Sequence, residues 1–188
     1  MTKLVRILRN DVPLKPPLAP EGQGVREATG STLSGSVLRH FDVSVNGRLS
    51  FYRLEDPLKL DDIALAIVAG SKAIDDVSYI ELDEEVLSGL GLQQEATRGA
   101  TVFEQVNAAH IDLVQLSVDA TAALAIACAN AATQGFESGK QLGLRLAAAV
   151  AKGECQEDRL KDGVRKRLAE IRGSRDYKRM IRQGLVPP

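Results

Sequence analysis

The sequence predicts an α+β fold, with a small N-terminal β-hairpin or ββαβ-like unit and then a helical C-terminal half with a close-packed Ala/Gly helical hairpin. Three observations predict it. Short alternations of apolar and polar residues at 3–8, 43–52 and 77–82 carry the two-residue period of strands. From residue 100 onward, apolar residues recur at steps of three and four, the period of a helix facing a core. Four Phe, three Tyr and no Trp leave that core to aliphatic side chains, and the later segments are rich in Ala and Gly.

Residues 1–36 read as an extended Pro/Gly-rich arm with a short strand. The strand is Lys3 to Leu8. Pro13, Pro16, Pro17 and Pro20 then deny the backbone its donors and favour an extended, polyproline-like path. Gly22, Gly24 and the Gly30-to-Ser36 stretch continue the irregular region. So long an irregular stretch either wraps its own domain, crosses to another subunit or moves.

Residues 37–95 read as a small α+β unit. Asn46-Gly47 suits the positive φ values of a type I′ turn, so the sequence predicts a hairpin with Val45 facing Arg48, Val43 facing Ser50 and Phe41 facing Tyr52. Asp56-Pro57 offers an N-cap and a first-turn proline for a helix with Leu60, Ile63, Ile67 and Val68 on one stripe, ending near Gly70. Val77 to Leu82 reads as a strand. Asp83 caps a short helix through Leu87, which Gly89 and Gly91 stop.

Residues 96–188 read as a helical region with basic C-terminal helices. The row Val102, Val106, Ala109, Leu113, Leu116, Ala120, Ala123 and Ala127 predicts one helix of about thirty residues, roughly 45 Å long. In the next helix Gly139, Gly143, Ala147 and Ala151 recur every four residues. Such a ridge of small side chains predicts close packing, as an antiparallel pair with residues 120–132. Glu154 to Arg172 and Ser174 to Gln183 form the last helices, with Gly184 as a stop.

The formal net charge of −1 hides opposed blocks. Residues 1–54 carry +4, 55–95 carry −9, 96–158 carry −3 and 159–188 carry +7. Asymmetry of this kind marks either an interaction surface or two poles that dock on one another. The strongest candidate is the basic terminus, where Arg165, Lys166, Arg172, Arg175, Lys178, Arg179 and Arg182 point to nucleic acid or to an acidic partner. Tyr177 is the single aromatic there, too few for stacking on single-stranded bases.

Other chemistries find little support. Two histidines, His40 and His110, and two cysteines, Cys128 and Cys155, are too few for a zinc or di-iron set, so no metal or cofactor is expected. His110 read on a helix cannot share a face with Asp112, which leaves it to Asn107 or Glu104. The Gly30-to-Ser36 stretch lacks the Gly-Lys-Ser/Thr ending of a phosphate loop. The charged N-terminus lacks the apolar run of a signal peptide, and Asp119 interrupts the longest apolar segment, so a cytoplasmic protein, free or within a larger particle, is expected.

These readings favour a non-enzymatic assembly or adaptor protein. It would act in a homo-oligomer or a larger complex, such as phage or bacterial machinery, through its N-terminal arm and complementary charged surfaces. The alternative is a nucleic-acid-binding accessory protein using the basic C-terminal helices. The expected partners are copies of itself or other protein subunits, then nucleic acid, and no membrane. An enzyme ranks third, because no activated group can be named.

Overall fold

The computed structural model describes residues 2–9, 39–41, 47–131 and 133–187. The predicted polyproline arm and the Val43–Val45 half of the hairpin lie outside the described residues. The fold is α+β, with a six-stranded sheet and a helix-rich C-terminal half.

The strands are β1 (Lys3–Arg9), β2 (Leu49–Leu54), β3 (Val77–Asp83), β4 (Gln93–Ala96), β5 (His110–Val114) and β6 (Thr133–Glu137). Their spatial order is β4-β5-β2-β1-β3-β6, and each pair of neighbours is antiparallel. The helices are α1 (Leu60–Ala69), α2 (Glu84–Gly89), α3 (Glu104–Ala108), α4 (Val118–Ala129), α5 (Gly139–Ala151), α6 (Asp162–Gly173) and α7 (Arg175–Arg182).

Helices cover both faces of the sheet. On one face Val5 and Tyr52 pack with Ile63 and Ala66 of α1, Leu146 of α5, Val164 and Leu168 of α6, and Tyr177 of α7. On the other, Leu4, Leu8, Phe51, Ile80, Ile111 and Leu113 pack with Leu87 of α2 and with Leu124, Ala125 and Cys128 of α4. Two-sided burial explains why β1, a central strand, reads Leu-Val-Arg-Ile-Leu with a single interior charge.

The predicted helix of about thirty residues is instead three elements, α3, β5 and α4. Five residues, His110 to Val114, cannot display enough of a period to separate strand from helix, and the apolar row ran through them by coincidence of spacing. Ser117 then opens α4 as a true N-cap, accepting from the Ala120 N–H at 3.1 Å.

Of the predicted hairpin, the pairing of Phe41 with Tyr52 does not form, and the pairings of Val43 and Val45 lie outside the described residues. β2 has β5 on one side and β1 on the other, with Ser50 opposite Asp112 and Tyr52 opposite both His110 and Val5. Phe41 sits in a 3₁₀ turn, Arg39–Phe41, and is fully buried beneath the α4 face. Gly47 does adopt the positive φ, 67°, that Asn-Gly led us to expect.

Helix α1 begins at Leu60, three residues after Pro57, because Lys59 is the N-cap and Asp62 reaches back to its N–H at 3.0 Å. The predicted Glu154–Arg172 helix is a 3₁₀ turn, Glu157–Arg159, followed by α6. The small-residue ridge of α5 does give a close-packed helical pair, but with a different partner. Gly143 lets the Ile171 side chain of α6 approach, and Gly139 lies against the backbone of Ile74 and Asp75. Leu124, Ala125 and Cys128 of α4 lie on the opposite face of the sheet, so α4 is not that partner.

Candidate functional site

The basic terminus lies on the exposed sides of α6 and α7. In α7, Tyr177 is buried while Met180 and Ile181 lean on the core, which turns Arg175, Lys178, Arg179 and Arg182 outward at spacings of three and four. Helical rise spreads that stripe over about 10 Å. In α6, Val164, Leu168 and Ile171 face inward, so Arg165 and Lys166 are exposed.

The seven cations are not equivalent. Arg172 is half-buried and donates from Nη1 and Nη2 to the Glu157 carboxylate at 3.0 and 2.9 Å, a bidentate clamp that ties α6 to the preceding turn. Hydrogen bonding to Glu157 raises the pKa of Arg172 further. Arg165 pairs with Asp162 one turn back. Arg179 reaches Asp176 at 3.5 Å, but Asp176 is held mainly by Lys140 of α5 at 2.7 Å, and that contact lowers its carboxyl pKa. Among the described residues, Lys166, Arg175, Lys178 and Arg182 form no salt bridge. These four remain available to an external anion.

The acidic block finds its partners elsewhere. Asp83 meets Lys3 at 3.3 Å, Glu84 meets Arg53 at 3.4 Å, Glu95 meets Arg48 at 3.1 Å and Asp61 meets Arg145 at 3.2 Å. Among the described residues, no salt bridge joins the basic residues of 159–182 to the acids of 55–95. The two poles are not joined by ion pairs among the described residues, although α1 and α6 share an apolar cluster.

A second polar cluster was missed by sequence reasoning. His110 lies on β5, where residues two apart share a face, so Asp112 is its neighbour. Asp112 accepts from Ser50 Oγ at 3.0 Å and from Thr97 Oγ1 at 3.1 Å, with Arg48 at 3.5 Å. Thr97 Oγ1 also lies 2.8 Å from His110 Nδ1, and His110 Nε2 lies 3.7 Å from Asp112. The His110 ring meets Tyr52 edge-on at 5.1 Å. A hydroxyl, an imidazole and a carboxylate are thus together, but the Thr97 hydroxyl and the carboxylate are engaged with each other. The cluster pins β4 to β5 and β5 to β2.

Asn107, expected beside His110, is buried elsewhere. It bonds the Thr101 backbone N–H at 2.7 Å and carbonyl at 3.0 Å, closing the loop before α3. Gly99 lies so close to Asn107 and His110 that a Cβ there would crowd both. Cys128 and Cys155 are buried thiols outside any disulfide, and burial pushes the Cys128 thiol pKa up to about 12. Among the described residues no group of three or more His, Cys, Asp or Glu is placed to hold a metal ion, and no helix is long and apolar enough to cross a membrane. Comparison with family models, curated proteins and solved structures finds no match to this chain.

Proposed function

We propose that the chain is a non-enzymatic assembly protein that joins copies of itself, or other subunits of a larger bacterial or phage machine, through complementary charged surfaces. The observation that supports this reading is that no ion pair joins the two poles among the described residues. The exposed cations Lys166, Arg175, Lys178 and Arg182 and the exposed acids Glu55, Asp56, Asp75 and Glu85 have no salt bridge among the described residues. A basic face on one copy can therefore meet an acidic face on the next, a head-to-tail contact that extends an assembly. The Pro/Gly-rich arm, and cytoplasmic residence, belong to the same proposal.

Light scattering of the full chain across a salt titration tests it. We expect a mass above that of the monomer in low salt, falling as salt screens the contact. The triple variant Arg175→Glu, Lys178→Glu, Arg182→Glu should stay monomeric in low salt with its melting unchanged. A wild-type monomer at every salt and concentration overturns self-assembly.

A second reading, a nucleic-acid-binding accessory protein, is favoured by the same outward stripe on α7. Mobility-shift titrations with duplex and single-stranded DNA and RNA test it. Binding should weaken steeply with salt, and the slope should fall by about one for each phosphate-contacting cation removed. Absence of a shift in low salt removes this reading.

A further inference from the structure

We propose that Arg6 and His40 form an oxyanion-binding site on the α4 face of the sheet, which takes a carboxylate or a phosphate group. This site lies across the sheet from α6 and α7 and is independent of the assembly reading.

Arg6 projects from β1 on the same side as Leu4 and Leu8, into the apolar cluster that includes Phe41, Phe51 and Cys128. Its guanidinium lies 5.3 Å from the Phe41 ring centre and 5.5 Å from that of Phe51. Nη1 donates to the Ser50 carbonyl at 2.9 Å, and Nη2 donates to the carbonyl of His40. Those contacts use two of five N–H groups and supply dipoles, not charge.

Two buried nitrogens on these linked residues have no hydrogen-bond partner among the described residues: Nε of Arg6, and Nε2 of His40, the residue whose carbonyl Arg6 already holds and whose Nε2 donates in the tautomer that carries its proton there. Among the described residues no carboxylate comes within salt-bridge distance of Arg6. A buried cation without a counter-charge is costly, and a water molecule would satisfy its N–H but not its charge. An oxyanion satisfies both. The side of a guanidinium that carries Nε–H matches the two oxygens of a carboxylate or phosphate, and the flanking aromatic rings exclude water from the contact. His40 is pushed down in pKa by burial and by the Arg6 charge, which fits a locally electropositive site.

The experiment follows the arginine Nε–H resonances of the ¹⁵N-labelled full chain, with Arg6 assigned by its disappearance in the folded Arg6→Lys variant. Sodium phosphate and sodium acetate are titrated separately, against sodium chloride at matched ionic strength. We expect a saturable shift of the Arg6 Nε–H signal with phosphate or acetate and none with chloride, and the responding arm identifies the preferred oxyanion. The shift should persist when Arg175, Lys178 and Arg182 are changed to Gln, which separates this site from α7. His40→Leu, in a short 3₁₀ turn, should weaken the affinity by about tenfold, the loss of one charge-assisted hydrogen bond. A response to phosphate and acetate no larger than to chloride overturns the proposal, as does an undiminished affinity in His40→Leu. If Arg6→Lys fails to fold, the His40→Leu comparison alone decides, read on the resonance that shifts.

Discussion

Asp112 has the largest structural role that a single polar residue carries in this sheet. It is nearly buried and gathers Ser50 of β2, Thr97 just after β4 and Arg48 just before β2. Asp112→Ala strands two hydroxyls and should cost about 1–3 kcal/mol in urea unfolding, whereas Ser50→Ala, which removes one partner at an exposed position, should cost less. None of this was legible in the sequence. His110 and Asp112 are apart on a helix and together on a strand, so one misread element hid the cluster. Cys128 is a buried thiol among the Ala residues of α4. Its pKa of about 12 yields a prediction with a definite sign. Between pH 9 and 12 the unfolded chain gives up the thiol proton and the folded chain keeps it, so stability falls as pH rises. The slope should be steeper in the wild type than in Cys128→Ala by about 1.4 kcal/mol per pH unit. Equal slopes in alkaline urea titrations would refute this, as would rapid alkylation of native Cys128 at neutral pH.

At the level of the element, glycine separates what the α6 sequence shows from what its packing demands. Gly163, in the first turn of α6, faces the Lys72 backbone so closely that a Cβ would overlap the Lys72 carbonyl oxygen. Backbone yields far less readily than a side-chain tip, so Gly163→Ala should destabilise the fold by about 2 kcal/mol, read by thermal or urea unfolding. Gly173, the last residue of the same helix, has nothing within 4 Å of the equivalent position. Gly173→Ala should be neutral or gain up to about 1 kcal/mol, because alanine has less unfolded-state freedom to lose. Destabilisation by both would mean that α6 is not seated as described. Elements with strong local signals were readable in advance: β1, β3, α5, and α7 between Ser174 and Gly184. Those read wrongly had their identity set from a distance. β2 takes its described partners from β1 and β5, far away in the chain, and no local signal could announce them. The ridge of α5 announced a close neighbour but carried no label for which one.

At the scale of the whole molecule, the sheet makes the two halves of the sequence depend on each other. β5 pairs with β2 and β4, and β6 pairs with β3. Among the described residues, therefore, both strands after residue 96 pair with strands that come before residue 97. The helices that follow are bound in the same way, since α5, α6 and α7 share their apolar cluster with Val5, Tyr52, Ile63 and Ala66. A fragment of residues 96–188 loses every strand partner and that side of its core. It should keep helical circular dichroism from α5 to α7, but with poor amide dispersion and no cooperative melt. The full chain should melt in a single transition at which far-ultraviolet and tyrosine signals coincide. A dispersed spectrum and a sharp melt from the isolated fragment would show that the C-terminal helices form a core of their own. That outcome would also change how the basic face is understood. With a separate core, α6 and α7 could swing relative to the acidic elements and bring the poles together. As one cooperative unit, the chain keeps the arrangement in which Arg175, Lys178 and Arg182 form no salt bridge with Glu55, Asp56 or Glu85, and the proposed assembly needs a second molecule to join them.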